Sequence, residues 1–259
     1  MSGVVRVARF EEAGRPFHAL LEDDGSIRPV PGDPWNGLGT PGPPRPVAGL
    51  TWLTPCSPSK IVCVGRNYHA HIAELKHEVP QEPLLFLKPP SALLPTGGVI
   101  RLPSLSRRVD YEGELGVVIG RPARRVPQGR ALEHVLGLTC VNDVTARDLQ
   151  ERDGQWTRAK GFDTFAPVGP CLVLGLDPST LRVETFVNGE RRQSAPVSQM
   201  IFGLARLISD ISMAMTLLPG DLISTGTPDG VGPLQDGDEV TVSIEGIGRL
   251  SNPVAAEEP

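Results

Sequence analysis

Lysine is scarce in this 259-residue chain: only four of its 25 basic residues are lysines, Lys60, Lys76, Lys88 and Lys160. Genome composition or thermal adaptation produces such a bias, but where arginine is used so freely a retained lysine also points to a need for a compact ammonium or a proton donor. Aromatics are few as well, with 7 Phe, 3 Trp and 2 Tyr, so the core must be built from Val, Leu, Ile and Ala. The net charge is −5, the pI about 5.6, and there is no run of five or six Lys or Arg. That removes the electrostatic footprint of a nucleic-acid binder. No apolar run approaches the roughly 18 residues of a membrane-spanning helix. The opening MSGVVRVARFEEAG has no apolar h-region and turns acidic at Glu11, unlike a secretory signal. The four cysteines form no CxxC pair, and Cys63 and Cys140 sit in the apolar runs IVCVG and LTCVND, as buried small hydrophobes do. A reduced, cytoplasmic protein is expected.

What the chain has in abundance is glycine and proline, 29 and 27, scattered between short β-branched runs. Breakers at that spacing predict a β-rich α+β protein and exclude a helical bundle. VVRVARFEEAGRPFHALLEDDGSIRPV alternates apolar and polar residues around two turns and reads as hairpin strands. Residues 31–46 form a Pro/Gly linker, so residues 1–55 are expected to be a small N-terminal β domain with linker, and 56–259 the main domain. The linker contains a literal GxGxxG, Gly37 to Gly42, but no helix can follow into PGPPRP, so it is not a dinucleotide site. Further on, KIVCVG reads as a buried strand and NYHAHIAELKH as a helix of about three turns. Asn188-Gly189 predicts a hairpin, and MIFGLARLISDISMAM a long amphipathic helix.

Three groups of residues carry candidate chemistry. In VDYEGELGVVIG, Glu112 and Glu114 are i and i+2 on a strand, so their carboxylates share a face. Asp143 ends the apolar strand LGLTCVND, where a lone buried carboxylate is costly. Three such groups suit magnesium or manganese, although an exposed strand face paired with arginines also fits the pattern. In the HAHIAE stretch, His71 and Glu74 are i and i+3, a spacing that makes an acid/base dyad on a lid helix or an ordinary solvated helix. Arg147 and Gln150 follow Asp143 at i+4 and i+7, on one face of a helix starting there, either as a carboxylate clamp or as an exposed face. Lys160 and Thr164 are four apart, and Thr227 lies in GTPDGVGP, a loop with no P-loop pattern.

Six segments in order, VGRNYHAHIAEL, FLKPPSALLPTGG, VDYEGELGVVIG, VNDVTARDLQ, AKGFDTFAPVGP and GDLISTGTPDGVGP, resemble the fumarylacetoacetate hydrolase family across about residues 60–253. The resemblance implies a catalytic domain of mixed β-sandwich/roll type and a usual homodimer. It places the metal on Glu112, Glu114 and Asp143, with Mg2+ the expected ion and Mn2+ or Ca2+ as substitutes. It puts the catalytic roles on His71, Glu74 and Lys160, substrate contacts on Arg147, Gln150 and Thr227, and Thr164 near the metal. The chain looks most like bacterial isomerase/decarboxylase members of homoprotocatechuate degradation. That implies a 2-oxo or 2-hydroxydienoic diacid as substrate, converted through an enolate, with acylpyruvate hydrolase or oxaloacetate decarboxylase activity as alternatives. A non-catalytic binding module with the same fold is the remaining alternative.

Overall fold

The computed structural model describes residues 3–74 and 78–257, with the side chains of His71 and Ala73 outside the described set. The chain folds as the breakers predict, into strands joined by short turns with few helices. One large sheet runs, in spatial order, through Ile27–Val30, Arg15–Leu21, Val5–Glu12, Ala166–Leu174, Val135–Asn142, Gly113–Ile119, Leu222–Ser224, Ile61–Gly65 and Leu84–Lys88. A five-stranded sheet, Glu190–Pro196, Arg182–Val187, Glu239–Ile244, Gly248–Ala256 and Ile100–Leu102, packs beside it. A small sheet of Thr145–Ala146, Val109–Tyr111 and Gly232–Pro233 completes the set.

The N-terminal hairpin forms where the alternation predicts. Glu12 pairs with Arg15 across Ala13 and Gly14, whose φ angles of 50° and 75° match the right-handed strand twist in a two-residue turn. Asn188 and Gly189 do the same at 52° and 79° between Val187 and Glu190. Val5–Glu12 then pairs antiparallel with Ala166–Leu174, so the hairpin extends the large sheet. Ala8, Phe10, Ala19 and Ile27 join the same apolar core as Leu115, Val117 and Ile223.

The predicted long helix is Leu204–Ala214, burying Leu204, Leu207, Ile208 and Ile211 at helical spacing. The predicted three-turn helix after Asn67 is shorter, His69–Glu74, and its expected continuation through residues 75–77 lies outside the described residues. Asn67 fixes how that helix leaves the sheet. Its buried amide donates to the carbonyls of Phe202 (3.1 Å) and Thr225 (2.7 Å) and accepts from the Phe202 N–H at 2.8 Å. No helix among the described residues is long and apolar enough to cross a membrane.

Candidate metal centre and substrate cavity

Glu112 and Glu114 do converge, but not as neighbours in one strand. The run breaks at Glu112: Val109–Tyr111 belongs to the small sheet and Gly113–Ile119 to the large one. Glycine between them is dictated by packing, since a Cβ on Gly113 would stand 2.0 Å from Thr185 Oγ1 of the five-stranded sheet. The partner strand supplies the third acid. Gly113 pairs with Asn142, the Glu112 N–H donates to Asn142 Oδ1 at 2.9 Å, and the Asp143 N–H donates to the Glu112 carbonyl at 2.8 Å. Glu112, Glu114 and Asp143 thereby bring one carboxylate oxygen each within 4.8 Å of one another, all three residues being buried.

Three buried cations hold this cluster. Lys160 Nζ donates to Glu112 Oε2 at 2.8 Å and to Asp143 Oδ2 at 2.6 Å. Lys88 grips the other Asp143 oxygen and the Val144 carbonyl. Arg147 donates to Glu112 Oε1 (2.6 Å), Asp110 Oδ2 (3.0 Å) and Gln150 Oε1 (2.6 Å). Glu114 has none of these partners. Its Oε2 accepts from the Ser224 hydroxyl and from the Gly226 N–H at 2.8 Å, and among the described residues no Lys or Arg forms an ion pair with it.

Electrostatics follow from that imbalance. Burial, then the Asp143 and Glu112 charges, push the Glu114 carboxyl up to about 8, against the opposing pull of Ser224 and Lys160. Burial pulls Lys160 down, but Asp143 and Glu112 more than offset it and hold the ammonium above its usual range. Burial leaves Lys88 below its usual value, Asp143 opposing and Lys160 adding to the effect. Burial works against the Arg147 charge as well, yet Glu112 and Asp110 raise it further. Among the described residues, Asp110 is held by Arg108 and Arg147, Glu112 by Arg147 and Lys160, and Asp143 by Lys88 and Lys160, while Glu114 forms no ion pair. An all-oxygen donor set of three converging carboxyl groups is what a hard divalent cation prefers, so Glu112, Glu114 and Asp143 can hold one.

The cluster opens into a cavity of about 180 Å³ bordered by Arg66, Phe86, Gln150, Trp156, Lys160 and Thr227 beside the carboxylates. Lys160 Nζ sits 4.9 Å over the Phe86 ring, and Trp156 meets Phe86 edge-on at 5.1 Å. Thr227 donates to the Gly113 carbonyl at 3.0 Å and accepts from Gln193 at 2.9 Å.

Several expectations are corrected by this geometry. No helix starts at Asp143: Thr145 spends its hydroxyl on the Asp143 carbonyl, Thr145–Ala146 pairs with Val109 and Asp110, and the helix runs from Arg147 to Asp153. Arg147 borders the cavity, but its fork is engaged by Asp110, Glu112 and Gln150, which makes it a brace for Glu112 and not a free clamp. Thr164 is not part of the cavity lining; at φ 69° it turns the chain and accepts from the Arg101 N–H at 3.0 Å. Glu74 accepts from the Gly230 N–H at 3.2 Å through both oxygens, joining the short helix to the GTPDGVGP loop. The side chain of His71, its proposed partner, lies outside the described residues. Sequence reasoning passed over Lys88 and Asp110. The signal for Lys88 was a scarce lysine ending the apolar run LLFLK, and for Asp110 an acid two positions before Glu112.

Comparison with known proteins gives the family. The family model described as fumarylacetoacetate (FAA) hydrolase C-terminal matches residues 60–255, and a Rv2993c-like N-terminal model matches residues 5–55. The chain belongs to the fumarylacetoacetate hydrolase family. Among relatives, it is 52% identical to protein Rv2993c of Mycobacterium tuberculosis over 84% of each chain. It is 44% identical to oxaloacetate tautomerase YisK of Bacillus subtilis, over 76% of this chain and 70% of that one. The crystal structure of 2-hydroxyhepta-2,4-diene-1,7-dioate isomerase from Mycobacterium marinum superposes with TM-score 0.89 at 44% identity, covering 98% of this chain and all of that one. Fumarylpyruvate hydrolase from Pseudomonas aeruginosa, solved with Mn2+ and pyruvate, superposes with TM-score 0.72 at 37% identity, over 76% and 90%. Within this family of enzymes, isomerase, tautomerase and hydrolase activities thus surround the chain.

Proposed function

We propose that this family member is a divalent-metal-dependent isomerase or decarboxylase of 2-oxo and 2-hydroxydienoic dicarboxylates, with 2-hydroxyhepta-2,4-diene-1,7-dioate of aromatic catabolism as substrate. The observation that carries this reading is the convergence of Glu112, Glu114 and Asp143 within 4.8 Å, all three buried. These three residues would hold Mg2+, and a bound ion supplies Lewis acidity to the oxygens of a 2-oxo acid.

The chain's own residues do the rest. Lys160 holds Glu112 and Asp143 in place, and its ammonium adds positive charge where the C2 oxygen turns negative as an enolate develops. Arg147 locks both Glu112 and the Gln150 carbonyl, which turns the Gln150 amide N–H groups toward the substrate. Phe86 and Trp156 cover the carbon skeleton with an apolar wall and exclude water from it. His71, on the short helix that Glu74 ties to Gly230, moves the proton at C3 or C5. Enolisation of oxaloacetate is a second reading, favoured by the 44% identity to the Bacillus tautomerase.

The test is to strip the purified protein of metal, restore Mg2+, and follow turnover of the dienoate, oxaloacetate and acetylpyruvate. Mg-dependent conversion of the dienoate is expected. Conversion of oxaloacetate or acetylpyruvate alone would reject the first substrate assignment, and activity without any divalent ion would reject the metal role.

A further inference from the structure

Among the described residues, three basic ones border the cavity, Arg66, Arg147 and Lys160, and two of them are already committed to its carboxylates. Arg66 is different. It is half-buried, and its guanidinium makes no hydrogen bond or ion pair with any described residue. It also stands in the left-handed region at φ 57°, an uncommon setting for a long side chain. Such a conformation persists only where the surroundings impose it. Here they do: on one side Gly65 is pressed against Trp156, where a Cβ would meet the ring at 2.8 Å, and on the other Asn67 is pinned by its three amide hydrogen bonds.

We infer that Arg66 is the specificity-determining residue for the second carboxylate of the substrate, pairing with the end remote from the 2-oxo group. This rests on the proposed reading, in which the 2-oxo end faces Glu112, Glu114 and Asp143. A dianionic substrate entering a cavity walled by carboxylates needs one cation that is not already neutralised, and Arg66 is that cation among the cavity-lining residues described. Its fork suits a carboxylate, and the Gln150 amide, with its oxygen taken by Arg147, leaves N–H groups as a neutral second donor. A monoacid gains nothing from Arg66, so the residue separates diacids from monoacids without touching the reacting carbons.

The probe pair is 2-oxoglutarate and 2-oxopentanoate, which have the same carbon count and differ by a terminal carboxylate against a methyl. Their binding to the full-length, Mg2+-loaded protein is measured by calorimetry for wild type, Arg66→Gln and Arg66→Lys. Wild type should bind the diacid about 10- to 100-fold more tightly. Arg66→Gln should lose that preference through the diacid alone, and Arg66→Lys should restore part of it. Equal affinities in wild type, or an equal loss for both acids in Arg66→Gln, would overturn the assignment. A diacid preference that depends on Arg66, in a protein that turns over none of the candidate substrates, would sustain the assignment while rejecting the proposed reaction.

Discussion

Thr185 Oγ1 lies 2.0 Å from where a β-carbon on Gly113 would stand, so the five-stranded sheet presses against the backbone between Glu112 and Glu114. Gly113→Ala must push the sheets apart or swing Glu112 and Glu114 away from Asp143. A loss of about 1–3 kcal/mol is expected from overpacking, together with weaker Mg2+ binding. Thr185 Oγ1 is buried without a hydrogen-bond partner, so Thr185→Ala sacrifices no polar contact. The double variant should recover much of both losses, as read by urea midpoints and Mg2+ titration. Additive losses in the double variant would argue against the clash.

Among the described residues no Lys or Arg pairs with Glu114, and with its carboxyl pushed up to about 8 a neutral amide replaces a group that is largely neutral in the metal-free protein at pH 7. Metal-free Glu114→Gln should therefore melt no lower than wild type. Saturating Mg2+ should raise the wild-type melting temperature, by about 2.7 kcal/mol of stability at 100 times Kd, and leave the variant's unchanged. An equal thermal shift in both proteins would show that the ion binds elsewhere.

Lys160→Met removes the ammonium between Glu112 and Asp143 while leaving both acids buried. Loss of one partner from such a network costs about 3–5 kcal/mol. Because a divalent ion at the same acids restores compensating charge, denaturation with Mg2+ should show a smaller loss than denaturation without it. A loss independent of Mg2+ would separate Lys160 from the metal centre.

Outside the site, partial burial and the neighbouring Arg9 hold the His18 imidazole below its usual range, while Asp33 and the Gly32 backbone oppose them. The native state then binds fewer protons than the unfolded chain between the lowered value and 6.5. Stability attributable to His18 is present above that window and is lost as pH falls through it. His18→Gln should flatten the fall in melting temperature as the pH drops below about 6.5. An unchanged slope would remove His18 as the source.

How far the sequence carries this picture depends on the distance over which each contact is made. The Ala13-Gly14 and Asn188-Gly189 turns, the Leu204–Ala214 helix and the acids Glu112, Glu114 and Asp143 are written in local spacing or in short motifs. Lys88 is not, because it meets Asp143 across 55 positions and only the strand order brings them together. The engagement of Arg147 was hidden for the same reason: Asp110 and Glu112 lie 37 and 35 residues before it. Thr164 enters through the resemblance, and its spacing from Lys160 says nothing of the turn at φ 69° where its hydroxyl accepts from the Arg101 N–H.

The pairing of Val5 with Leu174 also bears on how the molecule is made. The first hairpin can close within moments of leaving the ribosome, but the strand it must join is synthesised more than 150 residues later. At about 5–20 residues per second, that edge stays open for roughly 8–30 seconds. Thr51–Leu53 covers Arg9 to Glu11 early, so through that interval the open flank is the short stretch Val5–Val7, a template for any other extended chain. Arg6 sits at the middle of that stretch, so an antiparallel pairing of two copies centred there sets like charges opposite each other and is disfavoured.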